Sequence, residues 1–248
     1  MIVKTKEEVR SIAEGGKLLG AILEDVIARM REGVTGHELA ELAARRMQEA
    51  GGKPAFVGYG TPPYPAALCV SINDCVVHGI PSDYAFRPGD IISLDIGMIY
   101  HGLYTDMART VSLEPITHRE RELIDTASQA LDVGISEIRP GNTTGDIGYA
   151  IQQYVESKGF GVVRDLAGHG VGHALHEKPE ITNFGTKGTG TKLRSGMVLA
   201  VEPMITLGDW KVRIARDGWS VMTVDGSKAA HAEDTIVVTD DGYEILTR

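Results

Sequence analysis

The feature that most constrains the fold is an internal echo. RPGDIISLD, from Arg87 to Asp95, returns 107 residues later as RSGMVLAVE, from Arg194 to Glu202, keeping the Arg, the Gly, the apolar positions and a final carboxylate. The joints before it echo too: REGVTGHELA from Arg31 and RPGNTTGDIGYA from Arg139 share an Arg, a Gly, a Thr-Gly and an acid. Such self-similarity indicates two units of one design. In the first, small or apolar residues at Ile12, Gly16, Leu19, Leu23, Val26 and Met30 lay a stripe along a helix that Gly33 stops. Thr35 with Glu38 caps a second helix, ending at Gly51-Gly52. In the second unit, Thr117 with Glu120 opens a helix running through Ile138, and Thr143 with Asp146 opens another ending at Gly159. Residues 67–77 and 90–99 read as strands. No Ser/Pro/Gly linker separates the units, so the 248 residues predict one α+β domain over 1–248, with halves of about 1–115 and 116–248 sharing a core.

A formal charge of −9 without any Lys/Arg-rich run argues against binding nucleic acid or an anionic membrane through a basic face. Apolar runs such as Val198 to Val201 fall far short of the ~20 residues of a membrane span, and MIVKTKEEVR has no apolar signal core. Two cysteines, Cys69 and Cys75, suggest no disulfide framework and place the chain in a reducing cytoplasm.

The chemistry lies in acids and histidines. A turn at Tyr100-His101 would set Asp95 opposite Asp106, with Cβ atoms ~4.5–5.5 Å apart, where like charges repel. A shared proton, a side chain turned to solvent or a divalent cation would each relieve this. Glu202 ends the apolar run that echoes Asp95, and a buried lone carboxylate needs compensation. Glu233 precedes a β-branched run as Asp106 precedes Ala108 and Val111. In AGHGVGHALHE, the glycines favour extended backbone; there His169 and His173 share a face and His176 faces away, so the three are not joint ligands. Neither this segment nor FGTKGTGTK meets a nucleotide-binding pattern. His78 in VVHGIP stands beside a turn, and His231, two residues before Glu233, is a candidate supporting residue. Four carboxylates and one imidazole sum to a charge that two divalent ions neutralise, and an oxygen-rich set with one His suits Mn, Fe, Co or Zn in a hydrolytic site.

VVHGIP, SLDIG, YTDMA, GHGVG followed by LHE, AVEPM, DGWS and AEDTI, in this order and spacing, resemble the short type I methionine aminopeptidases of bacteria. The resemblance covers essentially the whole chain. It implies the duplicated pita-bread fold, an antiparallel curved sheet covered by two pairs of helices about a pseudo-two-fold axis. By position, it implies that Asp95 holds one metal, His169 and Glu202 the other, and Asp106 and Glu233 both. A metal-bridging hydroxide would then attack the carbonyl after an initiator methionine, with Glu202 as general base, His176 stabilising the oxyanion and His78 orienting the amide. Tyr59, Tyr64, Cys69, Leu175 and Trp219 would form the methionine pocket. The implied substrate is the N-terminus of a newly made protein with a small second residue, met near the ribosome by a cytoplasmic monomer. Leu175, His173 and Asp234 stand where the family usually has an aromatic residue, Arg and His. An Xaa-Pro-directed peptidase of the same fold and a non-catalytic, peptide-binding module are the competing expectations.

Overall fold

The computed structural model describes residues 3–248. Each of its four helices starts from a threonine tied to an acid three residues on. α1 (Lys6–Ala28) follows Thr5, whose N–H donates to Glu8 Oε2 at 2.7 Å while its hydroxyl accepts the Glu8 N–H at 3.2 Å. α2 (Gly36–Glu49) and α3 (His118–Ser136) carry the same reciprocal cap at Thr35–Glu38 and Thr117–Glu120. At α4 (Thr144–Ser157), Asp146 accepts both the N–H and the hydroxyl of Thr143, at 2.8 and 2.7 Å. These bonds satisfy donors that a helix start leaves without partners. Ile138, expected within α3, lies just beyond it, its N–H turned back to Ile135 O at 2.9 Å.

The strands of the first half are β1 (Lys53–Pro54), β2 (Leu68–Ile72), β3 (Cys75–Val77), β4 (Ile91–Tyr100) and β5 (Leu103–Ser112). The stretch 67–77 divides because Asn73 turns through φ 56. The second half adds β6 (Gly161–Val162), β7 (Ala167–Gly170), β8 (Glu177–Thr182), β9 (Val198–Val201), β10 (Met204–Thr206) and β11 (Val212–Ile214). β12 (Val221–Thr223), β13 (Ala229–His231), β14 (Asp234–Val238) and β15 (Tyr243–Ile245) complete it. β4 pairs with β1, β2 and β5, and its echo β9 lies between β14 and β7 in the order β15-β14-β9-β7-β8. All these pairings are antiparallel.

The β4–β5 hairpin corrects the expected register. Tyr100 pairs with Leu103, so the turn is His101-Gly102, with φ of 48 and 81. Two consecutive positive φ values match the twist of a two-residue hairpin, and glycine accommodates the second without strain. Asp95 consequently faces Ala108, and Asp106 faces Gly97. The two aspartates share a sheet face as diagonal neighbours, not as an opposed pair.

Each half has its own core: α1 and α2 bury Leu19, Leu23, Leu39 and Met47 against Leu68, Leu94 and Ile96, while α3 and α4 bury Leu123, Leu131, Ile147 and Ile151 against Leu199, Val201 and Ile236. A smaller cluster joins Ile12 and Leu103 to Val171, Val198 and Val237. The sheets meet where Ala108 and Glu233 exchange backbone hydrogen bonds of 3.2 and 3.0 Å. Beside them the Thr235 hydroxyl donates to Asp106 O at 2.7 Å and accepts the Asp106 N–H at 3.0 Å. The joint between the halves therefore runs through two of the candidate ligands.

Candidate metal centre

That joint gathers acids from both halves. Asp106 comes from β5, Asp95 from β4, Glu233 from the residue before β14, Glu202 from the residue after β9 and His169 from β7. Oxygens of Asp106 and Glu233 and a ring nitrogen of His169 lie within 4.8 Å of one another, as do ligand atoms of Glu202, His231 and Glu233. His169 Nε2 is 3.5 Å from Glu202 Oε1 and 4.0 Å from Glu233 Oε1. Asp95 is in neither triad, but its carboxyl is buried on the same face of the hairpin.

Burial sets the electrostatics. Loss of water pushes the Asp95 carboxyl up to about 7 and Glu202 up to about 8, and carries Asp106 and Glu233 well above the usual carboxylate range, where neighbouring acids add to the effect. Burial pushes His169 down to about 3 and His78 down to about 4, leaving both neutral at pH 7. His169 Nδ1 lies 3.0 Å from the Gly170 carbonyl, which places the ring proton there and leaves the Nε2 lone pair facing the carboxylates. Asp95 Oδ1, Asp106 Oδ1 and Glu233 Oε1 are buried without a hydrogen-bond partner among the described residues. Unpartnered carboxyl oxygens converging on a neutral imidazole are costly in a protein interior and fit divalent cations, which would displace the protons and supply positive charge.

The carboxylates form the floor of a cavity of about 160 Å³, below the roughly 300–1,000 Å³ of sites for drug-sized ligands. All twelve residues singled out by sequence reach it: Asp95, Asp106, His169, Glu202 and Glu233 at the floor, His78 and His176 beside them, and Tyr59, Tyr64, Cys69, Leu175 and Trp219 around the wall. The Tyr64 hydroxyl donates to Gly79 O at 2.8 Å, and its ring meets Trp219 edge-on at 5.2 Å. Trp219 Nε1 donates to Pro62 O at 2.9 Å. These bonds satisfy the polar tips of the aromatics and leave their faces to the cavity. His78 adopts φ 58, a conformation rare outside glycine and characteristic of strained functional positions.

His176 departs from the expected arrangement. Residues 171–176 form a turn between β7 and β8, so the segment is not one continuous strand, and His176 folds back until its ring meets His169 edge-on at 4.3 Å. Its Nδ1 lies 2.6 Å from the Tyr59 hydroxyl. His173 instead points away from the cavity and bonds Glu8 at 2.6 Å. Phe56, absent from the sequence-based set, also lines the cavity and meets Tyr64 edge-on at 6.3 Å. It sits in the aperiodic KPAFVG loop, where only its aromatic type marks it.

Comparison with known proteins agrees with this geometry. The model of metallopeptidase family M24 matches residues 10–240. Methionine aminopeptidase of Clostridium perfringens is 42% identical over 248 residues, covering 100% of this chain and 98% of the relative. The crystal structure of methionine aminopeptidase from Thermotoga maritima superposes with a TM-score of 0.97 at 44% identity, covering 100% of this chain and 99% of that one. Prolidase from Pyrococcus furiosus shares the fold at 24% identity and a TM-score of 0.80, with 65% of its chain covered. With its acids and imidazole gathered at the joint of two like halves, the chain belongs to metallopeptidase family M24.

Proposed function

We propose that this chain is a dinuclear methionyl aminopeptidase that removes the initiator methionine from proteins whose second residue is small. The observation that carries the reading is that an apolar cluster and the acids share one cavity: Phe56, Tyr64, Cys69, Leu175 and Trp219 line it together with Asp95, Asp106 and Glu233. A cavity of that size takes one flexible thioether side chain and leaves the substrate's amino group at the carboxylates. The 42% and 44% identity to methionine aminopeptidases over whole chains, against 24% to a prolidase, favours methionine over Xaa-Pro substrates.

In this reading Asp95 would help hold one divalent ion, His169 and Glu202 the other, and Asp106 and Glu233 would serve both. When bound there, Mn, Fe, Co or Zn would supply Lewis acidity toward the scissile carbonyl and acidify water. Glu202, whose burial raises its proton affinity, accepts the proton of the attacking water and passes it to the departing amine. His176 donates to the developing oxyanion and His78 orients the amide, both neutral so that they act as hydrogen-bonding groups. In this reading the substrates are nascent chains that still bear an initiator methionine, met in the cytoplasm near the ribosome by an enzyme that would work as a monomer. Metal-stripped protein titrated with each of the four ions and offered Met-Ala-Ser and Xaa-Pro peptides tests this. Metal-dependent turnover of Met-Ala-Ser, abolished by Asp106→Ala, is expected. Cleavage of Xaa-Pro peptides alone would overturn the substrate assignment, and absence of metal binding would make the chain a non-catalytic peptide-binding module.

A further inference from the structure

One group in the centre has no place in the ligand set just described. His231 is 1% exposed, and both its ring nitrogens lack a hydrogen-bond partner among the described residues. Its backbone is held at both ends, with N–H donating to the Thr110 hydroxyl at 2.8 Å and the carbonyl accepting from it at 2.7 Å, so the ring is presented by a fixed strand. Nε2 lies 3.4 Å from Glu202 Oε2 and 4.0 Å from Glu233 Oε2. His169 stands in the same relation to the other oxygens of the same carboxylates, 3.5 Å from Glu202 Oε1 and 4.0 Å from Glu233 Oε1. The two glutamates are thus flanked by two imidazoles, each facing one oxygen of each.

We propose that His231 is a metal ligand: Nε2 of His231 with Oε2 of Glu202 and Oε2 of Glu233 forms an ion position on the side of the glutamates away from His169, so that the loaded centre carries two imidazoles. The chemistry follows from the donor set. An imidazole without hydrogen bonds, facing two carboxylate oxygens, leaves a buried polar atom uncompensated. A borderline cation that accepts nitrogen and oxygen together compensates all three at once, and Mn, Fe, Co and Zn have that preference whereas Mg and Ca favour oxygen alone. The two glutamates need no rearrangement, because each already turns a separate oxygen to each ring.

This inference rests on the metal-centre reading of the proposed function, and the test separates the two. The full chain, labelled with ¹⁵N-histidine and loaded with Co²⁺, is examined by paramagnetic NMR, alongside His231→Gln and His169→Gln, with thermal melts of the metal-stripped forms confirming folding. The wild type is expected to show two imidazoles with hyperfine-shifted nitrogens, and each variant one. A calorimetric titration should show one binding event lost or weakened in His231→Gln while the other persists. Affinity alone does not decide, since removing a residue that merely supports a ligand costs about 10- to 100-fold as well; the imidazole count does. A single shifted imidazole in the wild type, which needs no variant to fold, would overturn the role of His231 while leaving the metallopeptidase reading intact. Failure of the wild type to bind cobalt would overturn both.

Discussion

Asp95 and Glu202 hold protons that an ion must displace. With folded values of about 7 and 8 against ordinary values of 3.8 and 4.5, the metal-free protein binds more protons than its unfolded chain up to pH 8. These carboxyls therefore contribute stability below about pH 4 and lose it as the pH rises through 7 and 8. His78, His169 and His231, pushed down to about 4, 3 and 4, contribute in the opposite sense: their stability is present above 6.5 and is lost as the pH falls toward 4. Above pH 6.5, where the histidines no longer change, the metal-free protein should accordingly lose stability toward pH 8, and metal should abolish that decline. Metal affinity should fall from pH 8 to 6.5 by up to about tenfold per unit for each proton displaced. Melting curves of stripped and loaded protein, with calorimetry in buffers of different ionisation enthalpy, check both; an affinity flat in pH would show that the carboxyls are already ionised. At this scale the sequence was informative, since motif order singled out all twelve cavity residues named from it. Phe56 and the two-sided contact of His231 were not legible, because an aperiodic loop and a tertiary approach leave no local signal.

Helices were legible because their causes are local: an apolar stripe at three- and four-residue spacing and an acid three residues after a threonine. The hairpin was less so, because His101 takes the left-handed position at which Asn or Gly is the usual signal, and the turn lies one residue beyond the expected place. The register nonetheless serves the site. It sets Gly97 opposite Asp106, and a Cβ at Gly97 would lie 2.6 Å from Phe56 Cε1 and 3.1 Å from Ala55 Cβ. The missing side chain is what lets the Phe56 ring approach β4 this closely at the cavity. Gly97→Ala should push that ring toward the cavity at an overpacking cost of about 1–3 kcal/mol. We expect KM for methionine peptides to rise by about fivefold or more, the ratio set by 1 kcal/mol, with kcat changed little because the β4–β5 pairings persist. Adding Phe56→Leu should return KM toward the wild-type value. A fall in kcat with unchanged KM would instead mean that the substitution acts through Asp106.

The pseudo-symmetry of the whole molecule was visible as an echo of strands and caps, but what locks the halves together was not. Asp234, wholly buried, receives Arg109 Nη2 from the first half at 2.7 Å and Arg248 Nε from the end of the chain at 2.8 Å. Thr247 donates to it at 2.8 Å. Arg109 Nη1 also donates to Glu233 O at 2.6 Å and Ala108 O at 2.9 Å, the residues whose backbones cross at the joint. The Arg109–Asp234 pair spans 125 residues and depends on no local pattern. Arg109→Met leaves a buried carboxylate short of one charged partner and takes a second donor from two carbonyls that keep only their backbone bonds, a loss of about 3–5 kcal/mol. For a chain of this size that corresponds to a drop in Tm of roughly 6–20 °C. Arg248→Met should cost less, because its guanidinium is 40% exposed and water replaces part of what it gives. If the lock also aligns Glu233, metal affinity should fall in Arg109→Met even at temperatures where the variant remains folded, and Asp234→Asn in the same chain should recover part of the stability but not the affinity, since the Glu233 carbonyl still lacks the guanidinium that holds it beside its backbone bond. A Tm shift below about 2 °C in Arg109→Met, under the roughly 2–4 °C that each kcal/mol moves, would show that the halves are held by their shared apolar cluster and not by this ion pair.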